Sequence, residues 1–342
     1  MQITDLSYAL RPENIACEPA EVRLGRRDLG KLMVIDREKA KRFHTCVLDL
    51  PQWLSSGDVL VLNNSKRMPG VLKGRTVEHD AQVELRFVGL ESERAGLCRP
   101  YPLHFIEPGR EIRLDDGNIL RELETGIPPY DLCRMESQNG DLKQSLHSVG
   151  LPITSFFYQG YWDLDNYNNC YASEEGSLES PMVGLHFTDE LLDAVKARGV
   201  SVTFVTLHPE GSWLPFIEED IEFHQMQFEK YVVPPETAEL VNEARARGNR
   251  IVACGSTAVR TLETVAKDGR IRAGSGQTNL YISPGYTFQI VDWYFTNFHP
   301  ARTSLMVLDA AFCEPQLLLE SYREAVEKGY LFYEFGDAVM YI

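Results

Sequence analysis

Apolar and polar positions follow two rhythms along this 342-residue chain, and the change of rhythm divides it. Residues 1–65 read as mixed structure ending in an apolar strand, Asp58-Val59-Leu60-Val61-Leu62, before a polar turn at Asn63-Asn64-Ser65. From Val71 to about Leu120 the segments shorten and alternate with period two, as in Val83-Glu84-Leu85-Arg86-Phe87. Pro108-Gly109 and Asp115-Asp116-Gly117 punctuate that stretch as turns, and helical periodicity is largely absent from it. This predicts a small β-barrel-like domain over 67–150, inserted into a large domain made of 1–66 and 151–342.

Residues 152–170 are rich in aromatics and asparagine and read as an irregular connection back to the large domain. Thereafter strand and helix signals alternate. Thr188 is placed to cap a helix running through Val195 to a stop at Gly199. Ser201 to Leu207 is a β-branched run, 234–247 an amphipathic helix stopped by Gly248, and 250–254 a buried strand. Gly255-Ser256-Thr257 opens a helix over 258–267; 281–282 and 288–291 read as strands, and 315–328 as a helix. Such alternation predicts an α/β/α sandwich around a mainly parallel sheet covered on both faces.

Composition narrows the class. Hydrophobic residues make up 44% and charged residues 25%, as in ordinary globular proteins. No apolar run reaches the roughly 20 residues that span a bilayer, and the N-terminal residues lack the layout of a secretory signal. The seven cysteines are scattered and never spaced C-x-x-C, which points to a reducing cytoplasm and away from a disulfide framework or structural zinc. The formal charge of −16 excludes RNA binding through a global field. A nucleic-acid partner would need a local basic patch. Candidates are 23–31, Lys66-Arg67 with Lys73 and Arg75, and Arg245, Arg247 and Arg250, the last group reading better as a solvated helix end.

Four polar strings fall where apolar runs end: Gly184 to Thr188, Thr206-Leu207-His208, Gly255 to Glu263, and Thr296-Asn297-Phe298-His299. Open α/β sheets place active sites at the carboxyl ends of their strands, so these strings are expected to share one crevice. No Gly-x-Gly-x-x-Gly follows a strand, which argues against a nicotinamide enzyme, and no closely spaced His/Cys set suggests a metal.

At these strings, and at Pro284-Gly285-Tyr286, Val291-Asp292 and Gly336-Asp337-Ala338, the sequence resembles the S-adenosylmethionine:tRNA ribosyltransferase-isomerases of queuosine biosynthesis, over nearly its whole length. The resemblance implies a large α/β sandwich with an inserted β-barrel. It also implies an enzyme that moves the ribosyl part of S-adenosylmethionine onto the aminomethyl group of a 7-deazaguanine in tRNA, forming an epoxycyclopentane and releasing adenine and methionine. S-adenosylmethionine is then a co-substrate, and no metal is implied. Departures occur: Asn63-Asn64-Ser65-Lys66 and Pro69-Gly70-Val71-Leu72 stand where the family carries two arginines, and the His224-to-Glu229 string lacks its second histidine. A paralogue acting on a small-molecule acceptor is therefore the second reading.

Such a reaction needs proton transfers near neutral pH, which suits imidazole. His186, His208 and His299 are the candidate catalytic groups, with His224 a fourth histidine at the site. Ser256 and Thr257 at a helix N-terminus, with Arg260 one turn on, could hold the methionyl carboxylate; a structural cap with an Arg260–Glu263 surface pair is the plain alternative. Asn297 could hold adenine or ribose hydroxyls, Tyr286 could stack on a base, Asp292 and Asp337 could orient histidines or bind ribose, and Thr188 could touch substrate or only cap its helix.

Overall fold

The computed structural model describes residues 1–102, 108–128, 130–154, 161–211, 216 and 218–342. A short helix α1 (Ala20–Leu24) precedes an antiparallel hairpin of β1 (Lys31–Asp36) and β2 (Lys41–Cys46), then α2 (Leu50–Trp53). The next strand, β3 (Val59–Asn63), is buried at every position, as a strand covered on both faces must be. A three-residue strand, β4 (Ser65–Arg67), leads into the barrel.

The barrel strands are β5 (Val71–Thr76), β6 (Gln82–Leu90), β7 (Ala95–Tyr101), β8 (Glu111–Leu114), β9 (Ile119–Ile127) and β10 (Leu132–Ser137). They close in the order β10-β7-β6-β5-β8-β9, every neighbour antiparallel. Leu72, Leu85, Phe87, Ile112 and Met135 fill the interior, and Leu142 and Leu146 of α3 (Leu142–Val149) pack into the same cluster. Period-two alternation in the sequence thus becomes an inside and an outside.

The chain returns through β11 (Glu174–Ser177), which lies parallel to β4. It continues as α4 (Asp189–Ala197), β12 (Ser201–Leu207), β13 (Glu229–Val233), α5 (Pro235–Ala246), β14 (Ile251–Cys254) and α6 (Ser256–Val265). A small hairpin of β15 (Ala266–Lys267) and β16 (Arg270–Ile271) leads to β17 (Gly274–Thr278), then β18 (Trp293–Asn297), α7 (Ser304–Phe312), α8 (Pro315–Glu327) and β19 (Ala338–Tyr341). Among the described residues the large sheet has nine strands, ordered β17-β13-β12-β3-β14-β18-β19-β1-β2. Val59 and Val61 of β3 face the core beneath α5 to α8, whereas Leu60 and Leu62 face the core beneath α2 and α4.

The sheet is mixed where a mainly parallel one was expected. Its centre, β12-β3-β14-β18, is parallel, but β13, β17, β19 and β2 each join antiparallel to a neighbour. Two further expectations are corrected. Residues 281–282 and 288–291 are not strands; the amides of Gln289, Ile290 and Val291 donate to the buried Glu263 carboxylate, which takes the place of a neighbouring strand. The helix expected to reach residue 267 ends at Val265, because Asp268 and Gly269 both take positive φ and turn the chain into the small hairpin. No helix among the described residues is long and apolar enough to cross a membrane.

Candidate active site

Because β12, β3, β14 and β18 run in parallel, their carboxyl ends share one edge of the sheet. Asn63, the last residue of β3, ties that edge together. Its amide nitrogen donates to the Leu207 carbonyl (2.8 Å) and to Thr257 Oγ1 (3.0 Å), and its oxygen accepts from the Leu207 and Ser65 amides. Helix α6 begins here behind Gly255, which has φ +87° and no side chain to cap the first turn. The leading N–H groups of α6 are therefore available to an anion.

His208 follows β12 at this edge. Its Nδ1 lies 2.6 Å from Ser65 Oγ, and Ser65 Oγ is in turn hydrogen-bonded to Ser177 Oγ. Burial, aided by the Lys230 charge, lowers the His208 pKa below its ordinary value. His186 is buried behind β18: its Nε2 is 3.2 Å from Asn297 Oδ1. The Asn297 amide nitrogen faces the carbonyls of Tyr333 and Glu334, which can only accept, so Oδ1 accepts from His186 Nε2–H and the lone pair sits on Nδ1. Burial pushes the His186 pKa down to about 4. His299 occupies the opposite face. Its Nδ1 bonds Asp309 (2.9 Å), its Nε2 approaches Thr296 Oγ1 (3.2 Å), and its amide donates to the Tyr322 hydroxyl.

The three histidines thus stand at one edge of the sheet without meeting. Successive strand residues point to opposite faces, so Thr296 directs His299 toward α7 while Asn297 directs His186 toward Phe295 on the α4 side. His208 lies three strands away in sheet order, roughly 14 Å at usual strand spacing.

The other candidates divide. Arg260 is buried and pairs with Glu229, not with Glu263; Arg260 Nε donates to the Leu280 carbonyl, and Nη2 has no partner among the described residues. Glu263 accepts from the 289–291 amides and from the Tyr286 hydroxyl, so the surface pair is excluded and Tyr286 has its polar tip engaged. Burial and the Glu263 charge push the Tyr286 pKa up to about 12. Asp292 lies at the opposite edge, where it accepts from the Ile251 amide and pairs with Arg245. It precedes β18, and a residue before a parallel strand cannot reach the carboxyl edge. Asp337 accepts from the Lys31 and Leu331 amides as a turn anchor. His224 stacks on Phe216 at 4.1 Å, beside Tyr281. Ser256 opens α6, and Thr257 is held by Asn63.

Thr188 caps α4 by accepting from the Leu191 amide and also donates to Asp28 (2.9 Å). Burial pushes the Asp28 carboxyl up, but bonds from Arg26 and Thr188 and the Arg26 charge outweigh it and hold the pKa below its ordinary value. Thr188 lines an open cleft of about 660 Å³ with Arg26, Arg27, Lys66 and Asn168; none of the three histidines lines it. Arg245, Arg247 and Arg250 are all paired, with Asp292, Glu243 and Asp58. Asn63, Ser65 and Glu229 stood in quoted strings and Ser177 in none, but no site role was expected of any of them, since a lone polar residue in or beside a strand carries no signal of its partners.

A family model described as a queuosine biosynthesis protein matches residues 3–342. The chain belongs to this family. Its relatives include proteins named S-adenosylmethionine:tRNA ribosyltransferase-isomerase from Moorella thermoacetica, 37% identical over 345 residues and 99% of each chain, and from Thermus thermophilus, 40% identical over 346 residues and 97% of each. The family's fold is also shared with a crystal structure of S-adenosylmethionine tRNA ribosyltransferase from Thermotoga maritima, at 32% identity and a TM-score of 0.57, covering 99% of this chain and 100% of that one. The family is one of enzymes, and the alternative of a small-molecule acceptor has no support among these relatives.

Proposed function

We propose that the protein transfers the ribosyl part of S-adenosylmethionine to the aminomethyl group of a 7-deazaguanine in tRNA, in the cytoplasm, giving epoxyqueuosine with release of adenine and methionine. The observation that carries this reading is the full-length similarity to relatives of that name. The sulfonium acidifies the C5′ protons, so the first step asks for a neutral imidazole beside C5′. His208 fits best: His186 and His299 are only 3% and 6% exposed, whereas His208 is partly open and burial favours its neutral ring. The uncapped N–H groups of α6, with Ser256 beside them, suit the methionyl carboxylate. Arg260 adds positive charge one turn further on, partly offset by Glu229. His186 with Asn297, and His299 with Asp309, hold the ends of the strand and its following loop.

Incubation with S-adenosylmethionine and tRNA carrying the aminomethyl-deazaguanine is expected to release adenine in step with tRNA modification. His208→Ala should lower kcat by about 10²-fold or more, the usual contribution of a positioned base. In the wild type, kcat/KM should fall as pH drops through a value below that of an ordinary histidine. Absence of adenine release from folded protein would reject the activity, and release with a small amine in place of tRNA would move it to another acceptor.

A further inference from the structure

The imidazole of His208 lies in a slot made of three small residues from the two strands that link barrel and sheet. Ser65 belongs to β4; Gly176 and Ser177 belong to β11. A β-carbon at Gly176 would stand 2.8 Å from both Cε1 and Nε2 of His208 and 3.0 Å from Nδ1, so one face of the ring rests on bare backbone. Gly176 does not take a left-handed φ, so its backbone would accept alanine and only the ring demands glycine. Ser65 and Ser177 are both fully buried, and their hydroxyls form a chain that ends at His208 Nδ1.

We infer that Gly176, Ser65 and Ser177 are positioning residues that fix both the place and the tautomer of His208, with Nδ1–H donating to Ser65, Ser65 donating to Ser177, and the Nε2 lone pair left for the substrate. This rests on the reading of His208 as the base. Three features make the slot more than packing. The buried serine pair gives Nδ1 a hydroxyl that can accept its N–H while passing its own proton on to Ser177. A flat ring on glycine has one orientation. The slot is also built from the parallel β4–β11 pair, which is anchored to the sheet edge because Ser65 N donates to Asn63 Oδ1.

Three single variants and one double variant test it. Gly176→Ala should displace the ring and lower kcat by about 10²-fold, the effect of a misplacement near 1 Å, with the KM for S-adenosylmethionine little changed. Ser65→Ala should leave the ring in place but let it exchange tautomers. In ¹⁵N NMR of histidine-labelled protein, His208 should show an unprotonated Nε2 in the wild type and a mixed pattern in Ser65→Ala. Gly176→Ala should also lower Tm, and that loss should vanish in the His208→Ala background, where the clash is gone. If Gly176→Ala does not fold, Ser65→Ala carries the test. Wild-type kcat and an unchanged His208 spectrum in the folded single variants would overturn the positioning role. Full activity of His208→Ala would instead reject His208 as base, while the tautomer measurement would still report on the slot.

Discussion

At the scale of the residue, His186 shows how a polar group becomes tolerable inside the sheet sandwich. It is 3% exposed, so burial favours the neutral ring, and one bond to Asn297 selects the tautomer. The same burial makes it a source of pH-dependent stability. Its pKa is about 4 in the fold, against the ordinary 6.5. As pH falls from 6.5 toward 4, the unfolded chain takes up a proton that the folded chain refuses. The stabilisation is therefore whole above 6.5 and declines by about 3 kcal/mol by pH 4, after which it levels. Urea unfolding across that range should show the decline, and His186→Gln should flatten it. An identical slope in the variant would assign the acid sensitivity elsewhere. The residue scale also marks where sequence reasoning stops. His186, His208 and His299 were recognisable as polar groups at strand ends, but the direction each ring takes depends on alternation at Thr296 and Asn297 and on the slot at Gly176, which no spacing of histidines reveals.

At the scale of the element, most of the architecture was legible. The run at Ser201–Leu207, the capped helix after Thr188 and the barrel alternation correspond to β12, α4 and β5 to β10. The exceptions have physical causes. Residues 288–291 are apolar enough to read as a strand, yet their ladder partner is a carboxylate one helix away, and a distant glutamate leaves no mark on local pattern. Conversely, Gly274–Thr278 has little β-propensity and is a strand only because it pairs with β13 over five residues. The Glu263 contact is then the tie that fixes 286–291 against α6. Glu263→Ala would leave the buried amides of Ile290 and Val291 and the Tyr286 hydroxyl without acceptors. A loss of about 3 kcal/mol or more is expected from several unsatisfied groups at 1–3 kcal/mol each, with faster hydrogen exchange at 289–291. Glu263→Gln, which keeps one carbonyl oxygen, should lose less. Unchanged exchange in Glu263→Ala would mean that packing alone holds the segment.

At the scale of the whole molecule, the difficulty is electrostatic: a chain of charge −16 is proposed to receive tRNA. Segment 67–150 carries 11 basic and 14 acidic side chains in 84 residues and the remainder 23 and 36 in 258, so charge per residue is only slightly less negative in the barrel and local basic groups must carry the approach of a polyanion. Most arginines near the junction are already committed, Arg26 to Asp28, Arg27 to Glu21 and Arg67 to Glu334. Lys66 differs. It sits on β4 between Ser65 and Arg67, on the exposed face of a strand whose other face holds His208, and it lines the 660 Å³ cleft. If the backbone of the acceptor runs along β4 while its base reaches His208, it passes this ammonium group. Each phosphate contact adds about one to the slope of log affinity against log salt. Lys66→Glu should therefore weaken tRNA binding by about tenfold near 0.15 M salt and make that slope shallower by about one. The KM for S-adenosylmethionine should stay unchanged, since no step assigned to the sulfonium uses this side chain. Equal tRNA affinity and equal salt slope in Lys66→Glu would place the RNA path on another face of the molecule.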